Sequence, residues 1–562
     1  MLTTIGAWMK KSIGILFSVM LAAILLLLLF FSDKSYYCKK VFLLPNGALL
    51  LIALGLAVLF SCVLVRYYQA VEHCLSRHFR WLFPTLAVLL LLLQFAVCYY
   101  AYFFTGWDVN IVISQAFQIA QGDYSGLKHA YFSRYPNNIF LLWLFSVIFK
   151  ICFALDITYK SSCVLILLFS QSVLSTLAAC LLQRICFAYT NSHVISWCVW
   201  LFYAFFAGLS PWLLIPYSDS FGLIFPVLLL WIYHWQKNGR LLWLKWILLG
   251  ALSFIGYKIK PQVVIMTIAI LIVESIHILT NIKEKGALKK AFVKMASALA
   301  AAGVCFTIFS QVILPSVPVK IDPERAFSMT HFMMMGLNRE TNGVYSYEDV
   351  VYSDSFSDYS ERQKGNVAVI KQRVQDYGAH NLFKHLGKKC LVNYGDGTFA
   401  WGKEGRFFLK TFPDKDAVLS PLLKQILYTG GKYHPLYSSS LQAAWLLLLF
   451  SALGCAAFIF RKNVSDELWT AMLAIIGLTL FVLLFEARAR YLYTYAPIYI
   501  LLGAIGWKQM VSAVRTLLQK PSKAAVKQPD APFRRSCLYV KNMIYSSIID
   551  VLERRFDFFA KS

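Results

Sequence analysis

The chain is dominated by uninterrupted apolar runs about 20 residues long, of which "LFPTLAVLLLLLQFAVCYYAYFF" at 82–104 is typical. A run of that length, wound as a helix, matches the roughly 30 Å hydrocarbon core of a bilayer. Inside lipid every backbone N–H and C=O must be paired within the protein, which leaves helices or closed barrels as the spanning structures. Runs near 20 residues are too long for barrel strands, so they read as helices. Candidate spans fall at 13–32, 43–65, 82–104, 161–183, 193–209, 219–235, 241–256, 261–279, 292–315, 442–460, 468–485 and 491–506. The expected fold is therefore an all-α polytopic membrane protein with about 12–13 transmembrane helices. A hydrophobic content of 59% and a mean hydropathy of +0.60 exceed what a water-soluble core of this size can use. The first run follows Lys10 and Lys11 but lacks a small-residue cleavage site, and reads as a retained span.

Charge orients the spans. The net charge of +26 is concentrated in short runs flanking apolar segments and in the C-terminal tail, so it reads as positive-inside topology and not as a nucleic-acid surface. Lys10 and Lys11 put the N-terminus in the cytoplasm, and the 66–80 loop returns there. On that count Asp108, 211–220, 257–261, 316–441, Arg488 and Arg490 share the outer face. An odd number of crossings is then needed between Asp108 and Arg184, where two apolar runs are available. The segment 139–155 is expected to dip in and return or to lie in the interface; a thirteenth span is the alternative.

Four regions follow: a transmembrane module over 1–315 with a first outer loop at 105–138, an extracytoplasmic domain or lid over 316–441, a second transmembrane module over 442–506, and a basic cytoplasmic tail over 507–562. Within 316–441 a helix is expected over 357–377, followed by glycine-rich turns in "YGDGTFAWGKEGRFF". The tail segment 536–559 alternates apolar and basic residues and is expected to lie on the inner leaflet. The thirteen cysteines are scattered, mostly within apolar runs, with no Cys-x-x-Cys pair, so neither a disulfide framework nor a zinc site is indicated.

The residues able to carry chemistry cluster at expected outer boundaries. Asp108 in "TGWDVN" opens a stretch of helical periodicity and can be a helix cap; as a carboxylate at the water boundary it can instead serve as a general base. Asp219 in "YSDS" has the same two readings, the second being contact with a polyhydroxylated acceptor. In "SRYPNN", Tyr135, Asn137 and Asn138 supply groups that contact sugars, and Arg134 supplies a cation. Lys258 and Lys260 in "GYKIKPQ" and Arg488 and Arg490 in "FEARARYLY" add four more. Snorkelling and an i to i+4 pair of Glu486 with Arg490 are the structural readings. Positive-inside statistics disfavour cations there, however, so an anionic partner such as a phosphate is expected. His331, beside a methionine run, is a weaker site residue, for which packing is the ordinary role. No phosphate-binding glycine loop, dinucleotide fingerprint, His-Glu-x-x-His or Gly-x-Ser-x-Gly is present, so a transferred group would have to come from a lipid donor.

Taken together, "GWD" in the first outer loop, "RYPNN" before the next apolar segment, "YSDS", "DGTF" in the 316–441 region and the boundary arginines of "FEARARYLY" resemble the GT-C superfamily of membrane glycosyltransferases, most nearly the bacterial family 39-type and related cell-envelope enzymes. The paired Asp-Glu of the protein O-mannosyltransferases is absent, which argues against that acceptor class. The resemblance implies inverting transfer of a sugar from a polyprenyl-phosphate carrier to a glycan, lipid or protein acceptor on the outer face of the bacterial cytoplasmic membrane. Asp108 would be the base, with Asp219, Tyr135, Asn137 and Asn138 toward the acceptor and Arg134, Lys258, Lys260, Arg488 and Arg490 toward the donor phosphate. No metal or other cofactor is required by that chemistry.

Two other readings stay open. A polysaccharide ligase or polymerase would take a polyprenyl-pyrophosphate glycan and would favour His331 as base. A lipid-linked sugar transporter or flippase would show internal repeats and ionisable groups at span centres, and the sequence has no repeat and few such charges.

Overall fold

The computed structural model describes residues 2–31, 42–235, 241–284, 286–461 and 463–518. Among them, ten helices are long and apolar enough to cross a membrane, and two shorter apolar helices cover His193–Gly208 and Ser218–His234. The chain is thus an all-α polytopic membrane protein. The exception among the described residues is one short antiparallel pair, β1 (Phe103–Thr105) with β2 (Phe408–Thr411). The expected tail helix over 536–559 lies outside the described residues.

Two of the expected spans are carried by one element. Helix Asn46–Ala101 has 56 residues, about 84 Å if straight and far more than one bilayer crossing needs. Its contacts show two crossings. Asn46 near its start donates to Leu28 O and accepts from Gln442, and Ala101 O at its end accepts from the Tyr428 hydroxyl. Its middle meets the opposite side of the bundle, where Tyr68 bonds Ser192 and Glu72 accepts from the backbone N–H groups of His193 and Val194. Glu72 thereby caps the start of helix His193–Tyr203.

The two faces of the bundle differ. One carries residues 316–441 and is called the loop face here. The sequence leaves 139–155 as re-entrant, interfacial or a thirteenth span, and its two ends both meet the loop face. At its start Asn138 is bonded to Tyr217 and Tyr131. Just past its end, Lys160 Nζ donates to Ser114 Oγ of helix Trp107–Gln121. Those two helices, Trp107–Gln121 and Ile139–Ala154, lie against each other through Phe117, Phe149 and Phe153 and run along that face.

The 316–441 segment is built onto the bundle. The helix expected over 357–377 is present over 359–377 and stops at Gly378 (φ 60°, ψ 174°), beyond which a second helix continues to Tyr394. Arg362, fully buried, donates to the backbone carbonyls of Glu324, Ser353 and Phe356, tying the first helix to the loops before it. Lys389 in the second helix donates to Leu483 O and Phe485 O at 2.7 and 2.6 Å. These are terminal carbonyls of helix Asp466–Leu484, so a lysine amine closes a helix C-terminus across the interface. Burial pulls the Lys389 amine down to about 7, with the Glu486 charge opposing.

The turn after that helix is held by backbone contact. Ala487 N donates to Gly343 O at 2.7 Å. Gly343 has φ +78°, and a Cβ there would come within 2.6 Å of Gly336 O. Only glycine fits both requirements. Gly343→Ala should therefore loosen the 485–489 turn and lower the melting temperature of the purified protein, by the equivalent of about 1–3 kcal/mol. An unchanged melt would show that the turn is held without this contact.

Candidate functional site

Four separated stretches meet on the loop face: the start of helix Trp107–Gln121, the segment 131–138, the turn at 217–222 with Lys260 beside it, and the 485–491 turn. Each is placed by local rules. Lys260 is extended (φ −146°, ψ 111°), as the residue before Pro261 must be, and its amine reaches Asp219 Oδ1 at 2.5 Å. Asp219 lies in the first turn of the short helix Ser218–Gly222 and is 1% exposed. Its other oxygen faces Arg490 at 3.9 Å, and Arg490 in turn is 3.1 Å from Glu404. Lys260, Asp219, Arg490 and Glu404 thus form one buried ion network.

Glu404 was not legible as a site residue. It is delivered by the "DGTFAWGKEG" turn, in which Asp396 accepts from Thr398, Gly397 N donates to Gln442, and Trp401 Nε1 donates to Leu427 O. Phe399 and Ala400 both have positive φ, 55° and 61°. The only sequence signal was a lone carboxylate within an aromatic, glycine-rich turn.

Next to the network is a directed hydrogen-bond chain. Tyr217 OH donates to Asn138 Oδ1 at 3.0 Å, Asn138 Nδ2 donates to Tyr131 OH at 2.8 Å, and Tyr131 OH donates to Asp108 Oδ1 at 2.7 Å. Burial, with the Asp108 charge adding to it, pushes the Tyr131 and Tyr217 phenols far up, so both stay protonated donors. Among the described residues Asp108 Oδ2 has no hydrogen-bond partner, and Asp108 is half-buried.

The cap reading of Asp108 does not hold. The N-cap is Gly106, with no side-chain cap bond, and Asp108 sits one position inside the first turn. Asp219 likewise is not the cap of its helix, which is Tyr217. Trp107, between Gly106 and Asp108, has φ +48°, an uncommon conformation for a bulky residue. It lies under the Arg490 guanidinium at 4.3 Å and meets the Tyr217 ring edge-on at 5.4 Å. Its buried Nε1 has no hydrogen-bond partner among the described residues.

The cations separate into distinct roles. Arg488 is 19% exposed, bonds Glu486 at 2.8 Å and lies 3.5 Å from Glu404. The expected i to i+4 pair of Glu486 with Arg490 does not form, because residues 486–488 are not helical and the spacing is lost. Lys260 and Arg490 find their anionic partners inside the protein, as Asp219 and Glu404, where the sequence reading sought a phosphate. The Arg134 fork is taken by Asp354, which ties the first loop to the 316–441 segment. Lys258 has its amine 3.9 Å from the Phe309 ring centre.

The remaining predicted residues divide in the same way. Tyr135 is half-buried against Tyr131 and Phe327, and Asn137 is exposed beside Asn138, so both edge the site. His331 is fully buried between Phe327 and Phe332, with Nδ1 2.7 Å from Ser353 Oγ. Burial pulls its imidazole down to about 4, so it is a packed neutral histidine and no surface base. Among the described residues no three His, Cys, Asp or Glu side chains are grouped to hold a metal ion.

Fold and site together define a polytopic integral membrane protein with a charged, tyrosine-lined site on the loop face. The chain belongs to the family described as "Conserved hypothetical integral membrane protein", whose profile matches residues 5–511. No curated protein and no solved structure matches it.

Two predictions follow from this geometry. Arg490→Ala leaves Asp219 and Glu404 buried without their shared partner, a loss of about 3–5 kcal/mol. It should abolish folded protein in fluorescence-detected gel filtration, whereas Arg488→Ala, at a more exposed position, should give a normal monodisperse peak. Equal behaviour of the two variants would contradict the assignment. The second concerns pH. Unfolded His331 takes up a proton near 6.5 and the folded residue only near 4, so stability is full above 6.5 and declines as pH falls from there toward 4. The melting temperature should decline over that window, with a shallower slope in His331→Phe; identical slopes would remove His331 as the cause.

Proposed function

We propose that this protein is a glycosyltransferase that moves a sugar from a polyprenyl-phosphate carrier to a cell-envelope acceptor at the outer face of a bacterial cytoplasmic membrane. The observation that carries this reading is the convergence of "GWD", "RYPNN", "YSDS" and "FEARAR" at one place, with Asp108 ending a chain of donors. A carboxyl group held by a phenol through one oxygen, with its second oxygen unengaged, is suited to take a proton from an attacking hydroxyl.

In the proposed reaction the acceptor oxygen bonds to the anomeric carbon as the bond from that carbon to the phosphate oxygen breaks. The proton passes to Asp108, the polyprenyl phosphate leaves with its electron pair, and the anomeric centre inverts. Arg488 is the cation placed to meet the phosphate, because it retains exposure and borders Tyr345 at the rim. Lys260 and Arg490 act at one remove, fixing Asp219, Glu404 and the face of Trp107. Tyr135 and Asn137 at the rim are the groups placed to contact an acceptor sugar.

The test is Asp108→Asn, which keeps the shape and removes the proton acceptor. Membranes supplied with radiolabelled polyprenyl-phosphate sugar should transfer label at least ~10²-fold more slowly with the variant, at normal protein levels and with donor binding retained. Normal transfer by the Asn variant would take Asp108 off the catalytic list.

A further inference from the structure

A second polar site lies on the face opposite the proposed catalytic one. Between helices Leu242–Ile259, Val264–Thr280, Ala287–Ile308 and Asp466–Leu484 is a cavity of about 90 Å³, lined by Tyr233, Lys245, Trp246, Glu274, Lys294, His277 and Asp466 among others. Its charged walls are buried: Lys245 is 5% exposed, Glu274 8% and Asp466 6%. Charges buried so near a bilayer need partners, and the way they are partnered is uneven.

The acceptors are already engaged within the protein. Glu274 Oε2 accepts from the Tyr233 hydroxyl at 3.0 Å and Oε1 from Lys294. Asp466 Oδ1 accepts from Lys10 at 2.6 Å, and Oδ2 faces His277 Nδ1 at 3.1 Å. Lys245 donates to Tyr233 O and Trp235 O at 2.6 and 3.0 Å, so the spare donors are those of Lys294 and Trp246. Lys294 can donate three hydrogens, and Glu274 takes one of them. Trp246 is 3% exposed, and its Nε1, which can only donate, has no hydrogen-bond partner among the described residues. Lys294 Nζ stands 5.9 Å from the centre of the same ring, and both side chains line the cavity. Lys283, Lys289 and Lys290 lie at or just before the start of the adjoining helix and add positive charge to this face.

We propose that this cavity binds a phosphate-type oxyanion, held by Trp246 Nε1 and Lys294 with Lys245 and His277 around it. A pocket that has satisfied its own acceptors and kept an unsatisfied buried donor accepts an acceptor-only ligand, and its volume suits one phosphate group. Basic pockets between transmembrane helices are also where phospholipid headgroups seat. The site is separate from the Asp108 region and does not depend on the transferase reading.

The experiment uses the full chain. Equilibrium dialysis of detergent-purified, delipidated protein against radiolabelled inorganic phosphate tests the free anion. Native mass spectrometry after release from nanodiscs of phosphatidylglycerol or phosphatidylcholine tests the headgroup. Binding is expected in at least one arm, with phosphate uptake pointing to the free ion and retention of phosphatidylglycerol alone pointing to the lipid. Trp246→Phe removes only the indole donor and should weaken that binding by roughly tenfold or more. If that variant does not fold, the paired Glu274→Leu/Lys294→Met change replaces the buried ion pair with apolar volume and should show the same loss. Absence of binding in both arms, or binding that is unchanged in these variants, would overturn the proposal.

Discussion

Much of the loop face depends on one buried interaction, the ion network of Asp219, Lys260, Arg490 and Glu404. These residues come from four separated parts of the chain, and each is under 10% exposed. Burying four charges costs several kcal/mol per ion unless each has a partner, so the network enforces a single arrangement of the strands of chain that carry it. Displacing any one of the four segments strands a charge in a dry environment. Trp107, pinned under Arg490 at 4.3 Å, inherits its position from that network, and Asp108 follows from Trp107.

This constraint explains a division of labour that residue types alone do not reveal. Lys260 and Arg490 carry the charges that a phosphate would want, yet both are committed to internal carboxylates. Arg488, two residues away on the same turn, is paired with Glu486 at 2.8 Å but keeps access to the surface, at 19% exposure. The 316–441 segment contributes to this by supplying Glu404 and by clamping the 485–489 turn through Lys389 and Gly343. It is better viewed as a wall of the site than as a detachable cover.

The spans, the shared face of Asp108, Asp219, Lys260, Arg488 and Arg490, and the extended conformation of Lys260 before Pro261 were all legible in the sequence, because apolar length and proline geometry act locally. The parts that were not legible depend on distant contact. Glu404 is a single acid in a turn whose path is set by Gln442 and Leu427. Tyr131 and Tyr217 look like ordinary boundary aromatics until their hydroxyls are seen to join Asn138 and Asp108. Arg134 and Lys258 have the right charge at the right boundary, but Asp354 and Phe309 respectively claim them. Helix Asn46–Ala101 joins two expected spans because nothing in 66–81 stops a helix: the stretch lacks proline and glycine, and Pro84 falls near the start of the second crossing.

The central claim is that a lipid-linked phosphate meets this protein beside Asp108 and Arg488. Photo-crosslinking tests that most directly, using a polyprenyl phosphate with a diazirine next to its phosphate, incorporated into membranes that contain the purified protein. Peptide mapping should place the adducts within 104–138, 211–222, 343–347 and 485–491, and excess unlabelled polyprenyl-phosphate sugar should suppress them. Adducts confined to the 233–294 region, or labelling of the Asp108 site that the unlabelled donor does not suppress, would contradict the account.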